Sequence, residues 1–241
     1  MDHETVMWKR HAELERRNQW GARIRDFILG WQDGLVNVLG VILGVAVATS
    51  STRIVIIAAI AAAFAESVSM AAVAYTSFKA EQEYYMSEVA REKREMKEVP
   101  EIERKEVGGI YQKLGFRGSL LNSVVRHITS DKKRWLKVMM EQELKMFPQR
   151  ASPVNIATVV GISAIFGSFI PVVPFLLLSV KTAIIASLII STIVLFFVGV
   201  LKAKTTVGSP LRSGVELAVI GMIAALIGYG IGAVLGATVV G

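Results

Sequence analysis

Five apolar stretches dominate this chain, and each is long enough to cross a bilayer. They run over roughly 27–49, 54–77, 155–178, 181–203 and 213–239. About 20 residues of helix span the hydrocarbon core, so length assigns these runs to transmembrane helices rather than strands. Charge is kept out of them. Of 27 Lys and Arg and 20 Asp and Glu, residues 1–26 hold 11 and residues 79–147 hold 27, which leaves nine for the rest of the chain. Such alternation, with 53% hydrophobic residues and a mean hydropathy of +0.50, is that of an integral membrane protein.

The connections order these helices. ATSSTR joins the first two, the third and fourth meet around Ser179 to Lys181, and KAKTTVGSPLRS joins the last pair, with Gly208 and Pro210 marking a turn. Lys and Arg concentrate in the N-terminal segment, in 79–150 and in 202–212, whereas the other two loops carry only Arg53 and Lys181. The positive-inside rule therefore puts the N-terminus, the long insert and the 202–212 loop in the cytoplasm, and the end of the chain, GATVVG, outside. The N-terminus lacks the basic start, apolar core and cleavage site of a signal peptide, so the first span is expected to stay as an anchor. The net charge of +7 is accounted for by membrane orientation, and no nucleic-acid partner is expected. The chain has no cysteine, which excludes disulfides and thiolate metal sites. Short termini and compact loops suggest a prokaryotic cell membrane, with an organelle membrane as the alternative.

Four regions follow: a cytoplasmic N-terminal segment 1–26, transmembrane helices 1 and 2 in 27–85, a cytoplasmic helical domain 86–150, and transmembrane helices 3 to 5 in 151–241. Helix 2 has no breaker at its charged end and is expected to run on to Pro100. Helices are then predicted over 101–114, 118–129 and 131–146, with Gly115 and Gly118 between the first two, Ser130 or Asp131 capping the third, and Pro148 closing it. The fold class is all-α.

Two acids lie well inside the apolar blocks, Asp33 in DGLVN and Glu66 in ESVSM. A charge at the bilayer centre costs about 3 kcal/mol on insertion scales, so such residues face a cavity, a partner or an ion. Asp33 shares a helix face with Asn37, and Glu66 with Met70, each pair being four residues apart. If these faces meet, they offer two carboxylates, an amide oxygen and a thioether, a set that tilts toward transition metals. Methionine in a membrane helix is usually filler, and an acid near a helix end often reaches only the interface. Gly34, Gly40 and Gly44 would let helix 1 pack closely, as the small residues of helix 2 would let it approach its neighbours.

In the charged insert, Glu92 and Glu95 form one i,i+3 pair and Glu103 and Glu106 another, while WLKVMMEQELKMF supplies Met139, Met140, Glu141 and Glu143. Glutamate-rich helix faces build di-metal sites in bundles. None of the three His residues (3, 11 and 127) stands three after a Glu, which argues against a di-iron oxidase, and no catalytic residue is assigned. The same glutamates, interleaved with Lys and Arg, also suit a solvated helix laced with salt bridges.

The ordered set DGLVN, ESVSMAAVAY, EVPEIERKEV, WLKVMMEQEL and GSFIPVVPF resembles the vacuolar iron transporter family of divalent metal/proton antiporters, over about residues 20 to 240. The resemblance implies five helices, a cytoplasmic metal-binding domain between helices 2 and 3, and a homodimer whose helices 1 and 2 enclose the ion path. It implies that Asp33 and Met70 bind the ion in transit, and that Glu92, Glu95, Glu103, Glu106, Met139, Met140 and Glu143 collect metal. Some members place the helix 2 glutamate eight residues before the methionine; here that position is Ala62 and the acid is Glu66, one turn later. The function so implied is export of Fe2+ from the cytoplasm in exchange for protons, with Mn2+, Co2+ and Zn2+ sharing the ligand types, and with no prosthetic group. The partners are lipid, divalent ions, protons and a second copy. The alternative is a membrane-anchored protein that binds or senses divalent metal without transport.

Overall fold

In a computed structural model the chain is helical, and no strand occurs among the described residues. The structure describes residues 3–148, 151–205 and 208–239, with side chains over 24–148, 151–204 and 208–237. The charged side chains before residue 24, the centre of the KAKTTVGSPLRS turn and the last two residues lie outside the described residues.

Helix α1 spans His3–Thr49 and α2 spans Thr52–Glu98. Three shorter helices follow: α3 at Pro100–Lys113, α4 at Gly118–Thr129 and α5 at Lys132–Val138, the last running into a π-turn at Met139–Glu143. Then come α6 at Pro153–Phe169, a 3-10 turn at Ile170–Val172, α7 at Val173–Leu177, α8 at Val180–Thr205 and α9 at Pro210–Val239. Among the described residues, five segments are long and apolar enough to cross a membrane: Ile24–Thr49, Thr52–Glu98, Pro153–Leu177, Val180–Lys204 and Pro210–Ala237. At 1.5 Å per residue, 25 residues reach about 38 Å, more than the roughly 30 Å needed. Apolar residues such as Ile57, Phe64, Ile185 and Phe197 are more than half exposed, as lipid-facing residues are.

Three expectations are refined. The third span is not one helix: Pro171 cannot donate to the helical ladder, and with Pro174 it divides the span into α6, a 3-10 turn and α7. The helix predicted over 131–146 leaves α-geometry at Met139, and Lys145 has φ +56°. Its cap is Asp131, whose Oδ1 accepts from the backbone N–H of Arg134 at 2.8 Å. Before it, the turn between α3 and α4 is made by Gly115 and Gly118, at φ +99° and +57°.

The chain forms two compact units, 1–75 with 152–241, and 76–151. In the first, α1 is central. Val38, Leu39, Ile42 and Leu43 are buried in one core with Val55, Ala59 and Ala63 of α2 and Phe175 of α7. The glycines of α1 mark backbone contacts. A Cβ on Gly34 would meet the carbonyl oxygen of Ala164 in α6 at 2.2 Å, and one on Gly44 would meet that of Gly228 in α9 at 2.8 Å. The close packing expected of Gly34 and Gly44 is thus made with α6 and α9. The second unit has its own small core of Val107, Ile128, Trp135 and Met139, flanked by Met96, Tyr111 and Val124.

Candidate metal sites

In the membrane unit, α1 and α2 carry the first site. The buried stripe of α2, at Val55, Ala59 and Ala63, faces the core at helical spacing, and Glu66 continues it one turn on. Asp33 and Glu66 are both half-buried, and their carboxyl groups meet side chain to side chain. Asn37 Nδ2 donates to Asp33 Oδ2 at 3.3 Å, so the amide fixes one carboxyl oxygen. Met70 is half-buried on the same face of α2 as Glu66. Ser67, adjoining Glu66, is buried and donates to the carbonyl of Gly161 in α6 at 2.8 Å. That bond holds the Glu66 turn against α6, and sequence reading did not single it out. Ala62 packs against the apolar core, and the acid one turn later reaches Asp33.

The second unit holds the other site. Glu92 and Glu95 on α2 converge with Glu103 on α3, their ligand oxygens lying within 4.8 Å of one another. Glu92 and Glu103 are 2% and 3% exposed, and each leaves its Oε2 buried without a hydrogen bond. Such atoms carry a desolvation penalty unless something binds them. Burial raises the carboxyl of Glu103 to about 7, helped by the charges of Glu106, Glu92, Glu143 and Glu95. Lost hydration also raises Glu143 to about 7, with Glu106 and Glu92 adding to it. Glu106 is exposed, and Glu143 is exposed as a residue although its carboxyl loses hydration beside the cluster; both act on Glu103 by their charge. The five glutamates singled out in the sequence therefore share one electrostatic environment.

The methionines divide. Met139 is wholly buried in the core with Val107, Ile128 and Trp135. Met140 is 2% exposed and lies outside that core. The π-turn allows both to be buried: its wider turn lets Leu144 N–H reach Met139 O at 3.1 Å. Glu141 lies 4.0 Å from Lys137, a surface ion pair. Missed in the sequence was Arg91, which contacts Glu88, Glu92 and Glu95; its signal was an arginine flanked by acids at −3, +1 and +4.

A model of the VIT family matches residues 24–233. The chain belongs to the VIT family. It is 36% identical over 208 residues to vacuolar iron transporter 1 of Arabidopsis thaliana, covering 85% of this chain and 82% of that one. It is 30% identical over 224 residues to vacuolar iron transporter 1 of Oryza sativa subsp. japonica, covering 91% and 88%. Protein CCC1 of Saccharomyces cerevisiae is 26% identical over 214 residues, 84% of this chain and 66% of that protein. Membership makes the protein a membrane transporter rather than an enzyme. It also corrects the expected destination. The plant relatives are named for the vacuole, an organelle, and the prokaryotic cell membrane is withdrawn. Loop and terminus lengths describe how helices are joined, and carry no address.

Proposed function

We propose that this VIT family protein moves Fe2+, and other divalent transition metals that share its ligands, out of the cytoplasm across an organelle membrane of vacuolar type, in exchange for protons. The observation that carries this reading is the meeting of Asp33 with Glu66 inside an apolar helix pair. Two carboxyls in contact within a membrane have two ways to be neutralised, by protons or by a divalent cation. A site that alternates between them exchanges one for the other.

In this reading Asp33, Asn37, Glu66 and Met70 form the ion path. The carboxylates and the amide replace part of the hydration shell, and the thioether favours a transition metal over Mg2+ or Ca2+. The second unit is cytoplasmic and collects metal through Glu92, Glu95, Glu103, Glu106, Met140 and Glu143, while Met139, expected to join them, packs in the apolar core. Its buried, unsatisfied glutamate oxygens support that role. Two copies pair through α1 and α2, whose exposed apolar residues, among them Phe64 and Val68, would lie along the interface. Protons arriving from an acidic lumen neutralise the carboxylates and release the metal there.

The test is metal uptake into proteoliposomes with an imposed pH gradient. Fe2+ entry should follow the gradient and collapse when a protonophore dissipates it. Wild-type rates in both Asp33→Ala and Glu66→Ala would refute the path.

A further inference from the structure

Arg91 contacts the glutamate cluster. Its Nη2 lies 2.9 Å from Glu88 Oε2 and 3.3 Å from Glu92 Oε1, and its Nε lies 3.7 Å from Glu95 Oε2. Glu92 and Glu95 are two of the three carboxylates that converge with Glu103. One guanidinium therefore already draws on charge that a divalent ion would use.

Its hold is partial. The Arg91 side chain is 42% exposed, against 2% for Glu92. At 3.7 Å the contact to Glu95 is an ion pair rather than a hydrogen bond, and the Nε has no hydrogen-bond partner. The Oε2 atoms of Glu92 and Glu103 are left unsatisfied. The shortest of the three contacts is with Glu88, one turn back and outside the converging trio. Arg91 thus has somewhere to go when it leaves the cluster.

We infer that Arg91 is a built-in competitor for the metal. Without metal it bridges Glu88 to Glu92 and Glu95. When a divalent ion enters, it releases Glu92 and Glu95 and stays paired with Glu88. This rests on the proposed metal-collecting role of the cluster. It gives that role a setting: an ion must bind well enough to enter and weakly enough to leave. A unit positive charge about 5 Å from a divalent ion weakens binding roughly tenfold even at the dielectric of water.

The experiment is calorimetric titration of the full chain in detergent with Co2+, and with Fe2+ under anaerobic conditions. The site belonging to the cluster is the one that Glu103→Gln removes. Arg91→Gln should bind there about tenfold more tightly than wild type. Glu88→Gln, which takes away the resting place of Arg91, should bind several-fold more weakly, and that loss should shrink in the Glu88→Gln/Arg91→Gln double variant. Equal or weaker binding by Arg91→Gln would make Arg91 a positioning residue and overturn the inference while the cluster stands. If Arg91→Gln fails to fold, Glu88→Gln decides, and unchanged or tighter binding by it overturns the inference. A wild type with no site that Glu103→Gln removes would take down the cluster reading and the inference together.

Discussion

In the membrane unit two acids stand nearly alone among apolar residues; in the second unit five glutamates share their surroundings with Arg91 and many surface charges. Around Asp33 and Glu66 helices touch backbone to backbone, as at Gly34 with Ala164 and Gly44 with Gly228. The second unit is held instead by a small core of apolar side chains, Val107, Ile128, Trp135 and Met139. In the first unit scarcity makes the acids stand out, because lipid penalises every charge that has no role. In the second the chemistry comes from burial, since only buried carboxylates differ from those on any solvated helix.

The comparison can be broken most directly at the ion path. Asp33→Ala or Glu66→Ala should lower Fe2+ flux in proteoliposomes by about 100-fold, since even outer-shell partners of metal ligands commonly contribute 10–100-fold. Metal binding at the glutamate cluster should persist in both variants. If that binding vanished as well, the two sites would not be separable.

The next largest effect belongs to Glu103→Gln, which should weaken metal binding by the second unit at least about tenfold. Without metal the same change should raise the melting temperature at pH 8. A carboxyl raised to about 7 in the folded chain holds its proton more tightly there than when unfolded. The contribution of Glu103 to stability is therefore greatest below about pH 4.5, shrinks as pH rises toward 7, and is gone above it. The amide removes that loss.

The same sign governs metal binding. Protons compete for Glu103 and Glu143 below about pH 7, so affinity at the cluster should rise about tenfold or more between pH 6 and pH 8, with protons released as metal binds. Titration in two buffers of different ionisation enthalpy would count them. A flat profile would mean that these glutamates do not ligate.

Glycines test the packing side of the contrast. A Cβ on Gly232 would meet Gly44 O at 2.0 Å, so Gly232→Val should destabilise the membrane unit by about 1–3 kcal/mol, read as a lower melting point in detergent. Gly109 in α3 has nothing within 4 Å of such a Cβ. Gly109→Ala should stabilise the second unit by about 0.5–1 kcal/mol, because alanine is the better helix former.

Most of the fold could be read from the chain. The five spans follow from apolar length, the ends of α3 and α4 from Pro100, Gly115 and Gly118, and the cap of α5 from Asp131. Less legible were the break at Pro171 and Pro174, hidden in an apolar run of the right length, and the π-turn at Met139, which no local residue announces. Of the site residues, Asp33, Glu66 and the paired glutamates stood out by type and spacing. Arg91 did not, because in sequence it resembles the other basic residues of a charged helix.

The sequence by itself determined that this is a helical membrane protein with five spans and acids at two kinds of position, because hydropathy and charge act along the chain and at short range. Tertiary structure alone decided that Asp33 meets Glu66, that Glu103 from another helix joins Glu92 and Glu95, and that Met139 serves the core while Met140 lies outside it. Those outcomes depend on which helix faces are turned toward each other. A residue's spacing names its face, but only packing in three dimensions supplies what lies opposite.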